Sequence, residues 1–88
     1  EVVMGRILVE VMPKLEILDR QGKAVIAALP RVDVTAFKSV RQGKTFFLEV
    51  EGEVTEDDLT QARKAAETVL SNPNIEDVVR VEALEDDK

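Results

Sequence analysis

The chain contains no cysteine, histidine, tryptophan or tyrosine. Without cysteine there are no disulfides and no thiolate metal sites. Without histidine the commonest general base and the commonest metal ligand are both missing. Aromatics are limited to Phe37, Phe46 and Phe47, too few for the stacking platforms that hold single-stranded nucleic acid. Cations are in deficit, 12 lysines and arginines against 18 acids, for a net charge of −6. That balance disfavours phosphate backbones and anionic membrane surfaces. No apolar run approaches the roughly 18 residues of a membrane span, and no charged-apolar-small leader opens the chain, so a cytoplasmic protein is expected.

Eighty-eight residues make one domain, which buries a smaller share of its surface than a large one and gains from self-association. The domain is expected over residues 4–84, with flexible ends at 1–3 and 85–88. In residues 4–12, Ile7, Val9 and Val11 alternate with Leu8, Glu10 and Met12, the pattern of a strand with one buried face, which Pro13 stops. Asp19 is placed to cap a helix whose apolar stripe is Val25, Ala28, Leu29 and Val32. Gly22 lowers its propensity, and Pro30 ends or distorts it near Leu29. Residues 36–42 read as a weak strand and 44–51 as a strong one, joined as a hairpin by Gln42-Gly43. Thr55 and Asp58 form a capping-box variant before a helix with the stripe Leu59, Ala62, Ala66, Val69 and Leu70. Asn72-Pro73 stops it. Residues 76–84 form the last strand, with Val79, Val81 and Ala83 on one face.

Strand, helix, strand, strand, helix, strand predicts an α+β fold, the ferredoxin-like βαββαβ sandwich. It has a four-stranded antiparallel sheet with two helices on one face. The first and third strands then lie side by side at its centre. The uncovered face displays Leu8 and Phe47 among Glu10, Glu49, Arg80 and Glu82, and a central apolar pair on an open sheet marks an interface.

Three candidate chemistries fail on spacing. Gly43-Lys44-Thr45 ends like a phosphate-binding loop, but position 38 is lysine where that loop needs glycine, and a strand follows where it needs a helix. Gly43 is expected instead to supply an unusual turn angle. The RNA-recognition domain shares this topology, but its aromatic consensus is unmatched. The acidic run Glu56-Asp57-Asp58 suits a helix N-terminus, and the acids of residues 85–87 suit a solvated tail. No catalytic, cofactor-binding or metal-binding residue is assigned. A regulatory module of the ACT type, binding a small molecule, uses the same fold and stands as the alternative, by fold analogy alone.

Three stretches together resemble the PurS family, the small subunit of phosphoribosylformylglycinamidine synthase. They are "DRQGKAV" from Asp19, "VRQGKTFFL" from Val40 and "NPNIEDVVRV" from Asn72. The resemblance spans about Met4 to Leu84. It implies a non-catalytic assembly subunit of a ligase complex in purine biosynthesis. That enzyme turns formylglycinamide ribonucleotide, ATP and glutamine into formylglycinamidine ribonucleotide, ADP, phosphate and glutamate. The implied partners are a PurL-type synthetase, which uses ATP and Mg, a PurQ-type glutaminase, and further copies of the chain as dimer or tetramer. It also implies subunit contacts at Arg41, Lys44, Glu76 and Asp77, beside Leu8 and Phe47. Asp19, Gly22, Gly43 and Pro73 are implied to be structural. The chain departs from its relatives at Arg20, where many have proline, at Asp33, where they tend to have glycine, and at Phe47, where the residue is often charged.

Overall fold

The computed structural model describes residues 4–84; the expected flexible ends, 1–3 and 85–88, lie outside the described residues. The elements run β1 (Met4–Pro13), α1 (Arg20–Ala28) with a 3-10 continuation (Leu29–Val32), β2 (Lys44–Glu51), α2 (Glu56–Ala65) with a π turn (Ala66–Leu70), and β3 (Glu76–Leu84). The sheet has three strands in the order β2-β1-β3, and both pairings are antiparallel. The alternation in β1 decides what this central strand buries. Ile7, Val9 and Val11 are fully buried and meet Ala62 and Ala66 of the second helical segment.

α2 begins where its capping box dictates. The Asp58 amide donates to Thr55 Oγ1 at 3.1 Å, and the Thr55 amide donates to Asp58 Oδ2 at 3.0 Å, so two free donors are satisfied reciprocally, worth roughly 1 kcal/mol. The π turn then shifts the helical phase by part of a residue. Val69, expected in the buried stripe, is turned out to solvent. A bulge where β3 meets Glu10 and Val11 has a similar effect. Val81 pairs with Val9 and Val78 with Val11, so Val79 is the extra residue and faces outward rather than sharing a face with Val81 and Ala83.

The expected four-stranded sheet with two helices on one face is not what forms. The three strands keep the predicted neighbours, but residues 34–43 join no strand, and α1 packs on its own continuation rather than on the sheet. Residues 14–43 instead project as an arm beyond the end of β1, giving an extent of 49 Å along the longest axis and 14 Å along the shortest. The radius of gyration is 16.5 Å, against about 12 Å for a compact domain of this length.

The Gln42-Gly43 hairpin is absent for a local reason. Gly43 has no left-handed angle; the glycine with positive φ is Gly52, at 80°. Gly43 is pressed against β1, and a methyl there would overlap the Val11 carbonyl oxygen and Met12 Sδ. The glycine serves a close approach, not a turn.

Candidate functional site

The three sequence motifs lie far apart in the chain, and the fold brings them to one shoulder, where the arm leaves the sheet. Asp19 is its first element. Oδ1 accepts from the Gly22 amide at 2.9 Å, the helix cap read from sequence, while Oδ2 accepts from the Gln42 amide at 2.7 Å. One carboxylate therefore ties the start of α1 to the returning segment of the arm. These backbone donors hold Asp19 below the ordinary carboxylate range. Gly22 lets α1 and the returning segment meet. It is buried, and a methyl would stand 2.9 Å from the Val40 carbonyl carbon and overlap its oxygen. The Arg41 guanidinium donates to the Pro13 carbonyl oxygen, pinning the returning segment to the end of β1.

The second element lies across the sheet. Lys44 opens β2 and Glu76 opens β3, with β1 between them, and Lys44 Nζ sits 3.0 Å from Glu76 Oε2. Glu76 Oε1 accepts from the Asn72 amide at 2.7 Å. The amides of Ile75 and Glu76 donate back to the Asn72 carbonyl at 3.0 and 2.8 Å, a tight turn with Pro73 at its second position. The Asn72 amide and Lys44 hold Glu76 below the usual carboxylate range. Beside it Asp77 pairs with Lys14 at 2.6 Å, a bond that raises the Lys14 ammonium above its usual value. Lys14 and the Gln42 amide were not singled out from sequence. Neither carries a local signal, because each matters only through a residue tens of positions away.

A groove of about 310 Å³ runs along this shoulder, lined in part by Pro13, Ile17, Asp19, Gly43, Lys44 and Glu76. The hydrogen bonds around it favour the ionised carboxylates of Asp19 and Glu76 and the protonated amine of Lys14. Among the described residues no three carboxylates gather as a metal site, and no helix is long and apolar enough to cross a membrane.

Leu8 and Phe47 lie apart from the shoulder, on the sheet face opposite α2. They are direct cross-strand partners, with Glu82 on the other side of Leu8. Leu8 is nearly buried while Phe47 is 61% exposed. Around them Arg80 pairs with Glu10 at 3.2 Å and reaches Glu82 at 3.8 Å. The face thus sets one exposed aromatic ring beside a charge cluster in which Glu10 and Glu82 share Arg80.

The profile of the PurS family, phosphoribosylformylglycinamidine (FGAM) synthase, matches residues 6–84. The phosphoribosylformylglycinamidine synthase subunit PurS of Mycobacterium leprae is 45% identical over 74 residues, covering 84% of this chain and 90% of the relative. The crystal structure of the Thermotoga maritima purS subunit (EC 6.3.5.3) superposes with a TM-score of 0.79 at 27% identity, covering 96% of this chain and 95% of that one. A chain in the structure of PurLQS from the same organism matches with a TM-score of 0.79 at 28% identity, over 93% of this chain and 99% of that one.

Proposed function

Because the chain belongs to the PurS family of FGAM synthase, we propose that it is the assembly subunit of that complex, bridging a PurL-type synthetase and a PurQ-type glutaminase. FGAM synthase is a ligase of purine biosynthesis, and this chain is one of its subunits. In this reading residues 4–84 act as one PurS-like domain in the cytoplasm. ATP and Mg are used by the synthetase, and ammonia comes from the glutaminase.

The observation that carries the bridging role is the fate of the family motifs. They converge, yet they build a shoulder of hydrogen bonds and ion pairs whose groups titrate away from neutrality, a device for holding shape. Shape matters to a subunit that works by contact. Two surfaces are offered to partners: the shoulder around Arg41, Lys44, Glu76 and Asp77, and the open sheet face around Leu8 and Phe47. Further copies of the chain are expected in the complex.

The test is reconstitution. The chain, the synthetase, the glutaminase, glutamine and ADP are mixed and passed over a sizing column. Co-elution of all three proteins is expected, and failure of either partner to bind this chain refutes the bridging role. A thermal-shift screen of amino acids and nucleotides on the isolated chain tests the regulatory alternative, which requires a large shift by one small molecule.

A further inference from the structure

We infer that the open sheet face around Phe47 is the docking surface for the synthetase, which meets it with a ring-sized apolar pocket rimmed by lysines or arginines. The inference rests on the bridging role proposed above. It names the surface and the chemistry of one of the two contacts that role requires.

The first observation is an anchor without a task inside the chain. The core draws on the other side of β2, where Phe46 and Leu48 pack against the buried cluster. Phe47 points the opposite way and is 61% exposed. Its cross-strand partner on the central strand is Leu8, which is only 9% exposed. The ring therefore stands beside an apolar floor rather than among polar side chains. A hydrophobe scattered singly on a surface needs no explanation. An aromatic beside a nearly buried leucine on an uncovered sheet has the form of an interface anchor, the kind of side chain that carries most of the energy of binding.

The second observation is the charge around that anchor. The strand registers set Arg6, Glu10, Glu49, Glu51, Arg80 and Glu82 on the same face as Phe47, two cations against four acids. Arg80 is already shared by Glu10 and Glu82. Arg6 lies opposite Glu49 in the register, yet among the described residues no ion pair engages Glu49 or Glu51. Carboxylates covered by a partner lose water and have to be met by cations. The occupant thus brings the lysines or arginines that the face lacks.

That requirement chooses among occupants. A second copy of the chain, set face to face on a two-fold axis, would press glutamates against glutamates, an arrangement that costs binding. Of the two partners proposed above, the synthetase uses ATP and so has to carry lysines or arginines for its phosphates. An acidic face with an aromatic at hand fits that subunit. Because α2 covers the opposite side of the sheet, a partner seated here leaves the helical side open to other contacts.

The test separates the surface from the bridging role. The chain is titrated into synthetase, glutaminase, glutamine and ADP, and the concentration that half-saturates the co-eluting complex is read at low and at high salt. Phe47→Ala should raise that concentration roughly tenfold and keep its salt dependence. Glu49→Lys should raise it roughly tenfold and flatten the salt dependence. Glu67→Lys makes the same change of charge at an exposed position of the second helical segment, and should leave the titration unchanged. The chain has no cysteine, so Thr45→Cys, two residues from Phe47 on the same face, takes a single benzophenone maleimide. On illumination a cross-link to the synthetase is expected.

A cross-link to the glutaminase or to another copy of the chain overturns the assignment, as does an unchanged titration with Phe47→Ala. Equal weakening by Glu49→Lys and Glu67→Lys would mean that charge acts through the whole body, and overturns the basic rim. A parent chain that never enters the complex refutes the bridging role and this inference with it. A parent that enters normally, with face variants that enter as well as it does, refutes the face alone.

Discussion

Replacing Gly22 by alanine separates helix propensity from tertiary contact, because the two predict opposite signs. In the interior of an isolated helix, glycine to alanine gains about 1 kcal/mol. Here the added methyl would lie 2.6 Å from Asp19 Oδ2, 2.9 Å from the Val40 carbonyl carbon, and closer still to its oxygen. Two of these three neighbours are backbone, which cannot turn aside like a side chain. Either the returning segment moves off α1, or Asp19 abandons one of its two amides. Overpacking of this kind costs about 1–3 kcal/mol, and losing an amide bond to the Asp19 carboxylate acts in the same direction. Against a gain of about 1 kcal/mol, the expected net is a loss of about 1 kcal/mol. For a domain of this size that lowers Tm by roughly 4–8 °C. The assay is urea and thermal denaturation followed by circular dichroism, at one fixed protein concentration because association raises Tm. A Gly22→Ala chain as stable as the parent, or more so, would refute the close packing of α1 on residue 40 and with it the rigidity of the shoulder.

Acid should loosen the same corner. Asp19 and Glu76 have pKa values lowered on folding, so their contribution is complete above the ordinary carboxylate range. It drains away as pH falls through that range and below; the urea midpoint should fall between pH 6 and 3, and Asp19→Asn should flatten that slope, while a parallel slope would exclude Asp19 as a cause. Asp33 ends the 3-10 segment in a left-handed conformation, φ 64°, so Asp33→Gly should add about 0.5–1 kcal/mol in the same melt, and a loss would mean that its side chain does more there than cap. Phe47→Lys should weaken capture of the chain by the synthetase roughly tenfold while light scattering of the chain alone is unchanged; equal capture would free the open face of a docking role, and a reduced mass would move Phe47 into the self-association interface.

What could be read without coordinates followed the range of the signal. The capping box of α2, the Asp19 cap, the burial of Ile7, Val9 and Val11, and the break at Pro30 are local, and each stood where the residues placed it. The neighbours of β1 were also legible, because alternation plus chain order leaves few pairings. The fourth strand was not. Residues 36–42 carry strand-like composition, but whether such a segment joins a sheet depends on what else it touches. Here Asp19, Gly22 and Arg41 hold it beside α1 and the end of β1 instead. Gly43 shows the same limit, since one residue type serves a turn and a close contact alike. The position of Asp33 reads differently with the backbone in view: it is left-handed, where glycine is at ease and aspartate is among the residues that tolerate it. The shoulder was present in the sequence as three motifs but not as one place.

The central position of β1 also sets an order of events during synthesis. The strand that both others flank is made first, and its partner β3 is the last element of the described chain. At translation rates of about 5–20 residues per second, Ile7, Val9 and Val11 have to wait several seconds for Val78 and Val81 to clear the ribosome. The arm, built from contacts between residues 19 and 42, can close meanwhile, ahead of the sheet it leaves. Between those two moments the nascent chain carries an exposed, strand-forming apolar segment, the state in which association with other unfinished chains competes with folding.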